Sequence, residues 1–450
     1  MSFIAPGELA RRTAQVAAAL NAARPRVRVL GVLLDNGAEW ISVDLAAQEA
    51  GVTLVPLPAF FTPAQLAHAV QASGMDALVS PSLAAAGELG FAPAATLAGL
   101  PWHRRAAETA ARSSPGSKIT FTSGTTATPK PVVLSAQEQW QVARSLAEAL
   151  GPLDLRRHLC LLPLAVLLEN VGGIYAAQLA GAHFCAPPLA EVGLHGASGF
   201  DPRACLDAIE RRRAESVILL PQMLAALTAA LEAGARAPRS LRFAAVGGAR
   251  VAAGLLERAR RAGLPAYEGY GLSECASVVA LNRPGAERPG SVGRPLAHCA
   301  VRIEDGEIQV KRKRRWLPTG DLGRIDADGY LYVEGRSRNV LITSFGRNVS
   351  PEWPEAELLA GPAIAQAAVF GEARSQLGAV LVPASPALPD AVLERQVRLA
   401  NARLPDYAQV RGWLRAEAQF TPQNGLATAN GRPRREAIWR AYGARLDALL

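Results

Sequence analysis

The sequence predicts an α/β protein: a large amino-terminal domain of parallel-sheet α/β subdomains with a short β region, then a small α+β carboxy-terminal domain. Three observations carry this reading. Short apolar strand-like runs alternate with helical patterns through the first third and again between Ser216 and Gly263. Near Val301 the texture changes to short β segments separated by turn residues. A polar joint, Arg336-Ser337-Arg338-Asn339, then precedes a shorter stretch of mixed pattern. The expected division is residues 1–337 and 338–450.

Taken in order, RVRVLGVLL (Arg26 to Leu34) reads as a buried strand and AEWISVDLAAQEAG as a helix closing at Gly51. VTLVPLP is a second strand, TPAQLAHAVQASG a helix with Pro63 at its start, and DALVS a third strand. Such a βαβαβ order implies parallel pairing with helices on the faces. SVILLP with MLAALTAALEAG, and RFAAVGG with VAAGLLERARRAG, repeat the strand-helix theme. VRIED, GEIQV, DLGRI and YLYVE are the later β segments, with Asp326-Ala327-Asp328-Gly329 as a turn. No internal repeat at solenoid periods is visible.

Composition bounds the function. The 450 residues are half hydrophobic, and no apolar run reaches the roughly 20 residues needed to span a bilayer. The five cysteines, Cys160, Cys185, Cys205, Cys275 and Cys299, form no CxxC pair, which argues against a disulfide framework and a zinc site. The start lacks a basic head followed by an apolar stretch, so a cytoplasmic enzyme is expected. A net charge of +9 rests almost wholly on arginine, with lysine only at 118, 130, 311 and 313. The cluster Lys311 to Arg315 has no interleaved aromatic residues, so nucleic-acid binding is not expected.

Chemistry concentrates first in ITFTSGTTATPKPVVLS, Ile119 to Ser135. A strand runs into a loop of hydroxyls and glycine closed by Pro129-Lys130. Hydroxyls and backbone N–H groups suit phosphate oxygens, and a lysine adds positive charge. The Walker pattern GxxxxGK[ST] is absent. Ser135 to Glu138 is a capping box that starts a helix. Further on stand VGGAR (Val246 to Arg250), EGYGLSE (Glu268 to Glu274), RPGSVGRPL, GEIQV and LPTGDLG (Leu317 to Gly323). GRSRNVLITSFGRNVSPE (Gly335 to Glu352) and NGLATANGRPRR (Asn424 to Arg435) close the series.

In order and spacing these segments resemble the acyl-adenylate-forming (AMP-binding) superfamily over nearly the whole chain, most closely bacterial fatty-acyl and acyl-CoA synthetases. The resemblance implies activation of a carboxylic acid by ATP and Mg²⁺, with transfer to coenzyme A or to the phosphopantetheine of an acyl carrier protein. It implies that Thr122, Ser123, Gly124, Thr125, Thr126 and Lys130 face the ATP phosphates, with Thr125 and Glu274 at the metal. Gly247, Gly248, Ala249, Tyr270, Gly271 and Ser273 fall beside the nucleotide, Tyr270 stacking on adenine. Asp321 takes the ribose hydroxyls with Arg336 assisting. Arg338 is the expected hinge of a mobile carboxy-terminal domain, and Ser344, Phe345, Gly346 and Arg347 form its thiol loop. Val166, Leu167, Tyr175 and Gly269 are implied at the acyl pocket, with Met223 and Leu224 as further apolar candidates.

Three departures stand out. Ala127 and Pro131 occupy positions where the family has glycine. Arg432 stands where the family has the lysine that bridges carboxylate and α-phosphate, an exchange that is not conservative at a tight site. Val166 replaces a histidine common in long-chain synthetases. A medium or long aliphatic acid is the first expectation and an aryl acid the second. Loading of a carrier protein, transfer to an amine, and a non-catalytic nucleotide-binding homologue are the rival readings.

Overall fold

The computed structural model describes residues 3–106, 114–122, 130–195, 199–344, 347–428 and 431–450, with only the backbone of Thr122. The chain forms two compact units. One comprises Met1–Ile218, Arg239–Arg242 and Leu272–Val278; the other comprises Leu219–Pro238, Phe243–Gly271 and Val279–Leu450. No helix of the described residues is long and apolar enough to cross a membrane.

In the first unit, α1 (Pro6–Ala22) and α2 (Ala38–Glu49) precede a sheet in which β1 (Val29–Val32) pairs parallel with both β2 (Thr53–Pro56) and β3 (Ala77–Val79). β2 also pairs parallel with β5 (Lys118–Thr122). The sheet is mixed, with antiparallel strands at its margins. β4 (Trp102–Arg104) runs antiparallel to β3, and β6 (Lys130–Leu134) antiparallel to β5. Only residues 123–129 separate β5 from β6, and a parallel crossover needs a dozen residues or more. Pro131 is tolerated because β6 is an edge strand.

Local signals set the helix ends. On α3 (Pro63–Ser73), Thr62 and Gln65 make a capping box and Gly74 closes the helix at φ +63°. Ser135 and Glu138 cap α4 (Ala136–Leu150) in the same way. β7 (Arg157–Leu159) pairs parallel with β8 (His183–Cys185) and β9 (Ser216–Leu219).

A buried polar cluster ties these layers together. Lys118, 1 % exposed, places its ammonium 2.9 Å from Asp44 Oδ1 and donates to Asn170 Oδ1 and the Tyr175 hydroxyl. Asp44 Oδ2 accepts from Asn170 Nδ2 and Tyr175 OH, each at 2.8 Å. Asn170–Tyr175 is a π-helical turn, and its i→i+5 register turns residues 170 and 175 toward the same carboxylate. Trp140 stacks on Tyr175 at 4.4 Å between centroids. Burial lowers the Lys118 pKa, with the charge of Asp44 working against that shift.

In the second unit, α5 (Pro221–Glu232) precedes β10 (Phe243–Val246), α6 (Ala253–Arg261) and β11 (Ala266–Leu272), with β10 and β11 parallel. Four antiparallel strands follow: β12 (Val301–Glu304), β13 (Glu307–Arg312), β14 (Arg315–Ile325) and β15 (Leu331–Arg336). β14 is longer than DLGRI alone and takes in LPTGDLG. The Lys311 to Arg315 cluster forms the β13–β14 hairpin, with Lys313 at φ +55°.

Residues after the joint build a sheet of β16 (Ile364–Phe370), β17 (Leu377–Pro383) and β18 (Val410–Arg415) with helices α7 (Glu352–Leu359), α8 (Asp390–Asn401) and α9 (Arg435–Asp447). Alternation along the central strand β17 feeds two cores. Leu377, Ala379 and Leu381 join Leu358, Leu393 and Val410. Val380 and Val382 join Phe370, Phe420 and Ile438. Arg435 grips Glu355 through both guanidinium nitrogens, tying α9 to α7.

The Lys118–Asp44 pair generates a stability prediction. Lys118→Met leaves the Asp44 carboxylate without its cation and lowers unfolding free energy in urea by about 3–5 kcal/mol. Adding Asp44→Asn recovers most of the loss; no recovery would mean that packing, not the charge, is what Lys118 supplies.

Candidate nucleotide-binding site

Asp321 lies in β14, opposite Arg336 in β15. Its main chain is fixed because the Thr319 hydroxyl donates to Ile308 O at 2.7 Å and accepts Asp321 N–H at 3.1 Å. Gly320, between them, adopts φ +73° and donates to Glu307 Oε1 at 2.6 Å. Arg336 Nε sits 2.6 Å from Asp321 Oδ1, and Tyr270 OH donates to Oδ2 at 2.6 Å. Burial raises the Asp321 pKa, while Arg336, then Tyr270, pulls it back. Burial and then the neighbouring carboxylate drive the Tyr270 pKa up, so its hydroxyl remains a donor.

The glycine-rich turn leaves the end of β10. Gly248 adopts φ +90°, and a Cβ there would sit 3.0 Å from Leu220 Cδ2. Arg432 Nη2 donates to Gly248 O at 2.7 Å. Arg432 is held by its own backbone, its N–H on Thr428 Oγ1 at 3.1 Å and its carbonyl accepting Thr428 N–H at 2.8 Å. The side chain is exposed, yet protein packed round the guanidinium, and then the charge of Arg336, lowers its pKa. Tyr270, Asp321 and Arg336 thus form one cluster, whose field Arg432 feels from its seat at the glycine-rich turn.

Two residues of this region carry no role in the sequence reading. Glu268 is buried two positions before Tyr270 and accepts Val251 N–H at 3.1 Å, pinning the far end of the glycine-rich turn. Arg250 donates to the carbonyls of Val333 (3.3 Å) and Glu334 (3.0 Å), tying the same turn to β15. Both stand inside motif strings; what the sequence conceals is that a carboxylate at 268 points inward.

In the first unit, Lys130 opens β6 and is exposed, opposite Thr122 in the β5–β6 register. Ser123, Gly124, Thr125, Thr126 and Ala127 lie outside the described residues. Glu274 sits half-buried in the 3₁₀ turn Ser273–Cys275, which packs against β6. Its hard carboxylate oxygens suit Mg²⁺; Thr125, the other expected ligand, is outside the described residues. Gly247, Ala249 and Gly271 border the segments already described.

At the expected acyl positions, Leu167 is buried, Val166 half-buried, and Tyr175 is committed to the Asp44 cluster. Met223 and Leu224 are buried on α5, and a Cβ at Gly269 would meet Leu281 Cδ1 at 3.0 Å. Arg338 lies in the 3₁₀ turn Ser337–Asn339. Beyond it, Ser344 N–H donates to Arg374 O and Arg347 lies 6.0 Å from the Tyr407 ring. Phe345 and Gly346 are outside the described residues.

His158, Cys160 and Glu169 bring donor atoms within 4.8 Å of one another, but their capacity is already used. Glu169 accepts from His158 Nε2 (2.9 Å), Leu161 N–H (3.1 Å) and Leu162 N–H (2.9 Å), and His158 Nδ1 meets Ser216 Oγ at 3.0 Å. A Cβ at Gly173 would fall 2.4 Å from Glu169 Oε1, so the cluster is a closed packing device.

Burial raises the Glu268 pKa from 4.5 to about 7, against the pull of the Val251 N–H and Arg250. The folded chain therefore keeps a proton that the unfolded chain has released, and stability falls as pH rises through that interval. Glu268→Gln removes this slope, gaining roughly 3 kcal/mol on wild type between about pH 5 and pH 8 in urea titrations. Parallel stability–pH curves would refute the assignment.

Residues 7–336 match the family described as AMP-binding enzyme, and residues 338–450 match the AMP-binding enzyme C-terminal domain. The 2-succinylbenzoate–CoA ligase of Bacillus subtilis (strain 168) is 32 % identical over 323 residues, 65 % of this chain and 62 % of that protein. The long-chain-fatty-acid–CoA ligase FadD15 of Mycobacterium bovis is 35 % identical over 250 residues, 46 % of this chain and 42 % of that protein. The chain spans less than two thirds of the length of these curated relatives. The O-succinylbenzoate coenzyme A synthetase of Bacillus subtilis, solved with ATP and a magnesium ion, superposes with a TM-score of 0.74 at 26 % identity, covering 96 % of this chain and 93 % of that one. With both parts of the chain matched and the residues around Asp321 assembled, this protein belongs to the AMP-binding enzyme family.

Proposed function

We propose that the chain activates a carboxylic acid with ATP and passes the acyl group to the thiol of coenzyme A. The observation that carries this reading is the Tyr270–Asp321–Arg336 cluster, with Arg432 seated at the glycine-rich turn. In the first step the carboxylate oxygen attacks the α-phosphorus, the bond to the β-phosphate bridge breaks, and pyrophosphate leaves. In the second, the thiol sulfur attacks the acyl carbon, loses its proton, and AMP departs.

Each side chain has work suited to its chemistry. Asp321 accepts from the ribose hydroxyls, Arg336 keeps that carboxylate ionised, and Tyr270 offers its ring to adenine beside Gly247, Gly248, Ala249 and Gly271. Lys130 and residues 122–126 face the β- and γ-phosphates, and Ser273 lies alongside. Glu274, with Thr125, would hold Mg²⁺, which would supply positive charge to the phosphate oxygens when bound. Arg432 offsets the repulsion between carboxylate and α-phosphate, where a guanidinium can hold two oxygens at once. Residues 338–450 act as a lid turning at Arg338, which brings Ser344 to Arg347 to the thiol in the second pose.

The substrate is a free acid with an apolar body. The names of the two relatives point to an aryl keto-acid and to a long-chain fatty acid. The apolar residues Val166, Leu167, Met223 and Leu224 suit either. A cytoplasmic setting fits the ATP and coenzyme A requirement. The exchange of lysine for Arg432 favours one second reading, a protein that binds nucleotide without turnover.

Pyrophosphate release with ATP and Mg²⁺, across aliphatic and aryl acids with and without coenzyme A, separates these readings. Release for one class, with thioester only when coenzyme A is present, is expected. Arg432→Ala should lower the pyrophosphate rate by about 10²-fold, and Arg432→Lys should retain or raise it. ATP binding without release for any acid would establish the non-catalytic reading.

A further inference from the structure

The carboxy-terminal segment meets residues 232–258 through polar contacts, two of them on α6 beyond the glycine-rich turn. Arg258, on α6, is gripped by Glu232, with Nε 2.8 Å from Oε1 and Nη2 2.6 Å from Oε2. That bidentate pair aims the remaining nitrogen, and Nη1 donates to Ala360 O at 2.6 Å. Ala360 ends α7, where helix carbonyls lack intrahelical partners and carry the negative end of the dipole. A second contact lies one turn away. Arg403 rests on Gly254, where a Cβ would be 2.4 Å from its Nη1, and its guanidinium is 3.7 Å from Glu357. In a third, Arg250 lies 5.7 Å from the Trp353 ring.

We propose that Arg258, aimed by Glu232 and assisted by Arg403 on Gly254, is a positioning residue that latches the carboxy-terminal segment in the pose that seats Arg432 at Gly248. This rests on the adenylation reading given above. Arg258 makes its hydrogen bonds to Glu232 and Ala360, neither of which belongs to the nucleotide cluster, so it acts on chemistry only through the pose. Hydrogen bonds and ion pairs of this kind can be exchanged for water when the segment leaves for the thiol step. Gly254 is part of the device because only a residue without a Cβ lets the Arg403 guanidinium lie against α6.

The test uses the full chain with donor and acceptor dyes on cysteines placed at the exposed positions Arg236 and Leu399, after Cys299→Ser. Energy transfer is read without acid or ATP, so it reports on the latch whether or not any acid is activated. Arg258→Ala is expected to shift the population toward lower transfer and to slow pyrophosphate release roughly tenfold, while thioester formation from supplied acyl-adenylate holds or rises. Arg258→Lys should restore part of both. Should Arg258→Ala fold poorly, Gly254→Ala serves instead: alanine is the better helix former, yet it displaces Arg403 and is expected to shift transfer the same way. Unchanged transfer in the folded variants would overturn the proposal. Lost pyrophosphate release with unchanged transfer would overturn it too, while leaving the adenylation reading intact.

Discussion

One buried carboxylate sets the terms for the second unit. Asp321 is held in mid-strand by β14–β15 pairing, by the Thr319 hydroxyl and by a guanidinium opposite. Removing that cation would leave burial less opposed in raising the Asp321 pKa. Arg336 is also the last residue of β15, directly before the joint. The contact that works against burial at Asp321 therefore also stands where the carboxy-terminal segment departs.

The polar clusters divide by what lies beside them. Around Lys118 and around His158, buried donors and acceptors face one another inside the fold, with Trp140 stacked beside the first cluster and Gly173 pressed against the second. Such closed clusters specify packing, here the seat of the π-helical turn. Around Asp321 and Gly248 the polar groups lie beside an exposed guanidinium, that of Arg432.

Much of this was legible from residue order, for physical reasons that differ by element. Thr62-Pro63 with Gln65, and Ser135 with Glu138, announce helix starts because each cap is a local bond. β1, β2 and β3 follow from period and spacing. The antiparallel return of β6 was missed because strand direction depends on partners, not on the strand's own pattern. The π-turn was missed because LENVGG reads equally as ordinary helix; its register is imposed by Asp44, far away in sequence. Tyr270, Asp321, Arg336 and Arg432 are singled out by motif strings. Glu268 and Arg258 are not, since nothing local distinguishes an inward glutamate or an aimed arginine from surface charge.

The guanidinium at position 432 has one more consequence. An ammonium group crowded by protein and faced by the cation of Arg336 would have its pKa lowered from a starting point already below that of a guanidinium. A guanidinium in the same surroundings stays charged across the range in which proteins remain folded. Position 432 is therefore better placed to hold positive charge as pH rises than a lysine there would be.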